Sequence, residues 1–415
     1  MTIKRGIQAG LLALVAIMPF HAFLSVWLGS ITHQQAIIQV WKEALLLVLT
    51  ILGLVLAWRD PEVRDRLRTW PAYLAGLFAV VAMVVTALTR PSFTAMVFGA
   101  KTDLEFLVAF VLAIMVATSK FMRQATWAIL IPSIVVVGFG LLQISVLPPN
   151  FLTHFGYGVH TIRPYEILDS IDKNLRFPST LGGPNQLGTY LVLPMGLAVL
   201  MALRRRRWWW ILPALGGVIV LIHTYSRAAW LGVIVAGIVL ALGLIPKRLR
   251  LWASGIIAAL CLVTATLADY LVKRGSQLQY YLLHTNTHSD EQHLASLKLG
   301  FTQSLARPLG HGLGAAGPAF FYTGQGPVIE NYYLQIAYET GWAGLIVFVL
   351  LLASAARELA HRAFHNDLAA ATLAALVGIS VTSLFLPAWT DSSTALIVWT
   401  AAGAAIGAPR GHSRV

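Results

Sequence analysis

The stretch "GPVIENYYLQIAYETGWAGL", residues 326–345, puts a carboxylate and an amide, Glu330 and Asn331, at the threshold of an apolar run that continues through residue 353. A run of that length reads as a membrane-spanning helix. Just before it lies the glycine-rich "PLGHGLGAAGPA", residues 308–319. A structured loop that ends where a span begins is a place where function concentrates.

Outward from this stretch the pattern repeats. The 415 residues are 57% hydrophobic and 11% charged, with a mean hydropathy of +0.72. This excludes a water-soluble domain and predicts one all-α integral-membrane domain over 1–415. About twelve spans are expected, at 7–28, 36–57, 71–89, 104–119, 125–145, 186–203, 208–224, 228–245, 249–270, 331–353, 367–386 and 392–407. The single cysteine, Cys261, lies inside an apolar run, so neither a disulfide framework nor a thiol metal site is expected. The first run follows Lys4 and Arg5 and resembles a signal peptide. It is long for that role and lacks a small-x-small cleavage site, so it is expected to stay as the first helix. Cleavage after about residue 30 is the alternative.

The net charge of +13 would suit nucleic acid, but the cations sit in short clusters between apolar runs, as membrane topology demands. With the N-terminus inside, 19 of the 30 Lys and Arg fall in cytoplasmic segments and 10 in the much longer outer ones, with Lys42 inside a span. Both termini are then cytoplasmic. Two long periplasmic loops follow, 147–185 and a large late one, 271–330, expected to carry part of an active site. In the second, Leu294, Leu297 and Phe301 fall at helical spacing and predict an amphipathic helix.

Several positions carry chemistry. "TYSRAAWLG" places Arg227, preceded by Tyr225, in a very short outer connection. A guanidinium near membrane depth needs an anionic partner, such as a pyrophosphate, unless it snorkels to the interface. "RFPSTLGGPNQLGTYL", residues 176–191, offers Arg176 and a glycine turn opening a helix, a place for an anion. The alternative is plain punctuation with Asn185 as N-cap. His311 in the glycine loop can carry a proton or simply be exposed. That loop lacks the Lys-Ser/Thr ending of a nucleotide-binding P-loop. Glu330 can take a proton from a sugar hydroxyl, or only complement the dipole of the helix it opens. Gln335 and Glu339 follow at helical spacing on the inward face. "HTNTHSDEQH", residues 284–293, matches no metal spacing, and no metal is expected.

Together "SRAAWLG", "PLGHGLGAAG", "ENYYLQIAYETGWAGL" and "RFPSTLGGPNQLGTYL" resemble the O-antigen ligase / O-antigen polymerase superfamily of integral-membrane glycosyltransferases, in order and in membrane side. The resemblance implies an inverting, metal-independent enzyme of the bacterial inner membrane with a periplasmic active site and no cofactor. It implies a polyprenyl-pyrophosphate-linked glycan as donor and a glycan or lipid A-core as acceptor. Arg227 then grips the pyrophosphate, with Arg176 and Arg274 beside it. Glu330 and Asn331 stand where ligases of the superfamily carry a His-Asn pair, the histidine being their proposed base. No arginine stands at the start of the outer amphipathic helix, where Gln292 and His293 lie. Glu330, Asn331 and His311 are therefore the expected catalytic group, with His293, Tyr225 and Asn185 in support. A rival reading is a transporter or flippase for lipid-linked glycan or a small anion. That reading expects charges at mid-membrane and paired broken helices.

Overall fold

The computed structural model describes residues 2–167, 175–245, 287–324 and 326–409. Among them, seven helices are long and apolar enough to cross a membrane: Ile3–Thr32, Trp41–Arg59, Trp70–Thr89, Ser119–Ser145, Pro184–Leu203, Arg227–Leu244 and Tyr332–Arg362. Four shorter apolar helices, Glu105–Val116, Trp208–His223, Asp367–Thr382 and Ser392–Gly407, fill the other expected positions. The expected span 249–270, Arg274 and the first part of the second long loop lie outside the described residues. A two-residue pair, Glu166–Ile167 against Leu175–Arg176, is antiparallel.

Small residues let the central helices approach closely, as membrane bundles require. A side chain added at Gly232 or Gly378 would run into the facing backbone or Thr382, and one at Gly403 or Gly407 into the 105–116 helix. Phe106, Phe110, Trp389 and Trp399 pack fully inside around these contacts. In contrast, Trp41–Arg59 and Trp70–Thr89 leave Leu47, Leu54, Leu77 and Val80 exposed. A helix has no unpaired interior backbone groups, so such a face suits hydrocarbon.

One end of the bundle is stapled by polar side chains. Arg204 and Arg205 reach Asp367 at 3.3 and 2.7 Å, Arg362 donates to the Ala408 carbonyl at 2.6 Å, and Gln8 donates to the Val116 carbonyl at 2.7 Å. The candidate site residues gather at the opposite end.

The main departure from the sequence reading is the span expected over 331–353. Gly341, with φ 73° and ψ 177°, breaks Tyr332–Arg362 into two helices, 332–340 and 342–362. The rings of Tyr332 and Phe348 meet with centroids 5.4 Å apart. Sixteen residues along a straight helix would separate them by about 24 Å. The 332–340 helix is therefore folded back beside the head of the longer one. Hydropathy carries only a faint sign of the break: the first half, YYLQIAYET, holds Gln335, Glu339 and three tyrosines, while the second half is strongly apolar.

A second departure concerns the outer helix, Thr287–Ala306. Its packed face carries Gly300 and Ser304, which are buried, while Leu294 and Phe301 are exposed. A small face was needed there: a Cβ at Gly300 would come within 3.0 Å of Ile329 and 3.3 Å of Leu334.

Candidate active site

The break at Gly341 leaves helical donors and acceptors without intrahelical partners, and the glycine loop supplies them. His311 N donates to the Tyr338 carbonyl at 2.9 Å, Gly312 N to the Glu339 carbonyl at 2.8 Å, and Trp342 N donates to the Pro308 carbonyl at 3.1 Å. Irregular backbone is tolerated in a membrane protein where protein groups satisfy it in this way. Gly310, Gly312, Gly314 and Gly317 all have positive φ, between 67° and 94°, a region open chiefly to glycine. The loop also threads close to its neighbours. Leu313 N donates to Thr86 Oγ1 at 3.0 Å, and Gly99 abuts Gly314.

His311 is held rather than exposed. Its ring stacks on Tyr338, centroids 3.9 Å apart and planes 7° from parallel. Its Nδ1 lies 3.0 Å from the Tyr338 carbonyl, an acceptor, so Nδ1 bears the hydrogen. Burial holds its pKa below the ordinary imidazole value, Arg307 adds to this, and the bond to Tyr338 opposes it.

Glu330 and His293 meet. His293 Nδ1 lies 2.7 Å from Glu330 Oε2, although 37 residues separate them in the chain. Glu330 N donates to Ser296 Oγ at 2.9 Å, and Ser296 Oγ donates to the Val328 carbonyl at 3.1 Å. Glu330 thus precedes the cap instead of lying in the first turn, and Asn331 is the cap. Its Oδ1 accepts from Leu334 N at 2.9 Å, and its amide nitrogen donates to the Leu384 carbonyl at 2.8 Å.

Arg176 forms a second cluster. It donates to the Thr224 carbonyl at 2.6 Å, to Asn185 Oδ1 at 2.8 Å and to Glu166 at 3.2 Å. Burial lowers its pKa somewhat and Glu166 opposes the shift. Three of its five N–H groups are thereby committed, leaving two for a ligand. Asn185 is not the N-cap of its helix; Gly183 holds that position, and Asn185 instead serves Arg176. Thr224 leads directly into Tyr225, whose φ of +50° is unusual for a non-glycine residue. The helix that follows begins at Arg227. Arg227 is exposed, and the Oγ of its N-cap, Ser226, is buried without a hydrogen bond.

The two clusters are joined by the end of the 367–382 helix. Thr382 Oγ1 donates to the Ala228 carbonyl at 3.1 Å. The next residue, Ser383, accepts from Tyr332 N at 2.9 Å, and Leu384 accepts from Asn331. Arg227, which opens one helix, and Glu330, which precedes the cap of another, therefore lie at the same end of the bundle, on either side of one turn.

Sequence reasoning missed two acidic groups here. Asp103 is fully buried and accepts from the Tyr332 hydroxyl at 3.0 Å. Glu105 is bonded at 2.7 Å to Lys42, itself 1% exposed, and Glu43 joins Lys42 and Lys101. The signal was faint: "KTDLE", 101–105, reads as a charged interhelical turn. Gln335 and Glu339 do face inward, both at 0% exposure, but toward the glycine loop. Among the described residues, no group of three His, Cys, Asp or Glu side chains is placed to hold a metal ion.

These elements define a polytopic helical membrane protein with a glycine loop seated in a broken helix. Residues 212–349 match the family model described as O-Antigen ligase. The match spans about a third of the chain and contains Arg227, His293, His311, Glu330 and Asn331. It bears out the resemblance to the O-antigen ligase / polymerase superfamily drawn from the motifs. No curated protein matches the chain.

Proposed function

We propose that the chain is a bacterial inner-membrane glycosyltransferase that moves a glycan from polyprenyl pyrophosphate to a sugar hydroxyl at the periplasmic face. The observation that carries this reading is the His293–Glu330 pair at 2.7 Å, set across one turn from the helix that Arg227 opens. In the reaction the acceptor oxygen bonds to the anomeric carbon as the bond from that carbon to the pyrophosphate oxygen breaks on the opposite face. Configuration inverts, and lipid pyrophosphate leaves with the bonding electrons. Arg227 and the two uncommitted donors of Arg176 offset the charge that develops on the leaving group. The acceptor proton goes to Glu330, which His293 orients through Oε2. Asn331 holds the helix head in place by capping it. The chemistry needs no nucleotide, since the donor arrives activated.

The transporter reading gains a broken helix, but the chain's own loop fills that break, and the other interrupted span, Ile3–Thr32, passes through a short turn at Met18–Phe20 without leaving helical backbone. Arg227→Ala and Glu330→Gln test the enzyme. In proteoliposomes with lipid-linked repeat units each should lower glycan transfer by about 100-fold or more, with membrane insertion unchanged. Transfer at wild-type rate by both variants would overturn the assignment. The same assay assigns the acceptor: chain growth without lipid A-core marks a polymerase, and transfer of one block to core marks a ligase.

A further inference from the structure

The proposed reaction leaves two fully buried carboxyl groups unused, Asp103 and Glu339. Asp103 lies one turn beyond Gly99, which abuts Gly314, the residue whose N–H Glu339 accepts, so the two carboxyl groups face each other at close range. Glu339 binds the glycine loop with both oxygens. Oε2 accepts from Gly314 N and Oε1 from Ala316 N, each at 3.2 Å. Asp103 Oδ1 accepts from the Tyr332 hydroxyl at 3.0 Å, while Oδ2 receives no hydrogen bond. Thr102 also lies against Asp103, but its hydroxyl donates to the carbonyls of Phe98 and Gly99 at 3.2 and 3.1 Å. The cations of the adjoining turn, Lys42 and Lys101, are engaged by Glu105 and Glu43.

Two ionised carboxylates in contact in a dry interior repel strongly, and a hydrogen bond between them requires a proton. Its position follows from counting donors. If the proton sat on Glu339, one backbone N–H of the loop would face a hydroxyl oxygen, a poor acceptor. With the proton on Asp103 Oδ2, every donor meets a carbonyl or carboxylate oxygen: Tyr332 on the Asp103 carbonyl oxygen Oδ1, and Asp103, Gly314 and Ala316 on the Glu339 carboxylate.

We propose that Asp103 carries a proton on Oδ2, gives it as a hydrogen bond to the Glu339 carboxylate, and so fixes the glycine loop in the broken helix. Asp103 is a positioning residue: it acts through Glu339 and the loop, and it touches no substrate. Its effect on transfer rests on the function proposed above; the proton itself does not.

Asparagine is the isosteric mimic of a protonated aspartate, so substitutions separate the two partners. Asp103→Asn keeps an acceptor for Tyr332 and a donor for Glu339. Glu339→Gln turns an NH₂ group toward donors. In the purified full-length protein, Asp103→Asn should retain transfer within about threefold, while Asp103→Ala and Glu339→Gln should each lose about tenfold or more, the effect of an unsatisfied buried group. Infrared spectroscopy reads the proton directly. A protonated-carboxyl C=O band should be present in the wild type at neutral pH and absent from Asp103→Asn. Survival of that band in Asp103→Asn, or loss of transfer by Asp103→Asn as severe as by Asp103→Ala, would overturn the proposal. If Arg227→Ala and Glu330→Gln spare transfer, the functional reading fails alone. The infrared band and hydrogen-exchange protection of the 312–317 amides in Asp103→Asn then still decide this one.

Discussion

The chain has two glycine-bearing turns at the same end of the bundle, and they are built on opposite principles. At 176–191 the glycines are incidental to backbone shape. Gly183 has φ 176°, an extended value any residue adopts, and Gly182 has open space where a side chain would go. A side chain, Arg176, sets that turn by tying Thr224, Asn185 and Glu166 together. At 308–319 the backbone sets the shape. Its glycines take left-handed φ values, and a Cβ on Gly310 would lie 2.5 Å from Gly341 N. The same composition therefore marks a replaceable turn in one place and an irreplaceable one in the other. What separates them is whether the neighbouring surface is side chain or main chain.

The contrast can be broken by substitution. Gly314→Ala adds a methyl group against the Ala95 carbonyl in a left-handed position. It should cost about 3 kcal/mol or more and lower the unfolding temperature of the detergent-solubilised protein sharply. Retention of wild-type stability would mean that the loop is not seated as described. Arg176→Gln should cost about 1–2 kcal/mol and loosen residues 176–185 toward limited proteolysis, because one amide cannot span three partners. Gly182→Ala should stay within about 0.5 kcal/mol of wild type. A large loss there would show that the first turn also depends on its glycines.

Much of the fold was legible because hydropathy reports burial in lipid. Each of the expected spans that falls on described residues contains an apolar helix, the one over 331–353 being broken at Gly341. Gly341 escaped notice because a single glycine at the head of an apolar run leaves the length of that run unchanged; its φ creates the break. Leu294, Leu297 and Phe301 gave a valid helix, but only Leu297 shares its packed face with Gly300 and Ser304, the residues that close approach to Ile329 and Leu334 selects. At the candidate site, Glu330, Asn331, Arg227 and Arg176 could be picked out because a polar group beside a span is conspicuous. His293 and Asn185 were named beside them, but which residue bonds to which could not be read. His293 joins Glu330 across 37 residues, and Asp103 reaches Tyr332 across 229. Hydrogen bonds of that separation leave no periodic trace in a single sequence.

The seating of the glycine loop also constrains the order of events during synthesis. Residues 308–317 leave the ribosome before 338–342, so the N–H groups of His311 and Gly312, at the water-facing rim, have no carbonyls to bind until those of Tyr338 and Glu339 follow. They must stay hydrated there until the 342–362 helix has inserted and the 332–340 segment has turned back to meet them. This seam is then stitched at the water-facing rim only after the 342–362 helix is in place, while the bonds from Tyr332, Asn331 and Arg362 to Ser383, Leu384 and Ala408 wait for residues made later still, and a chain stalled before residue 342 would leave the loop unanchored.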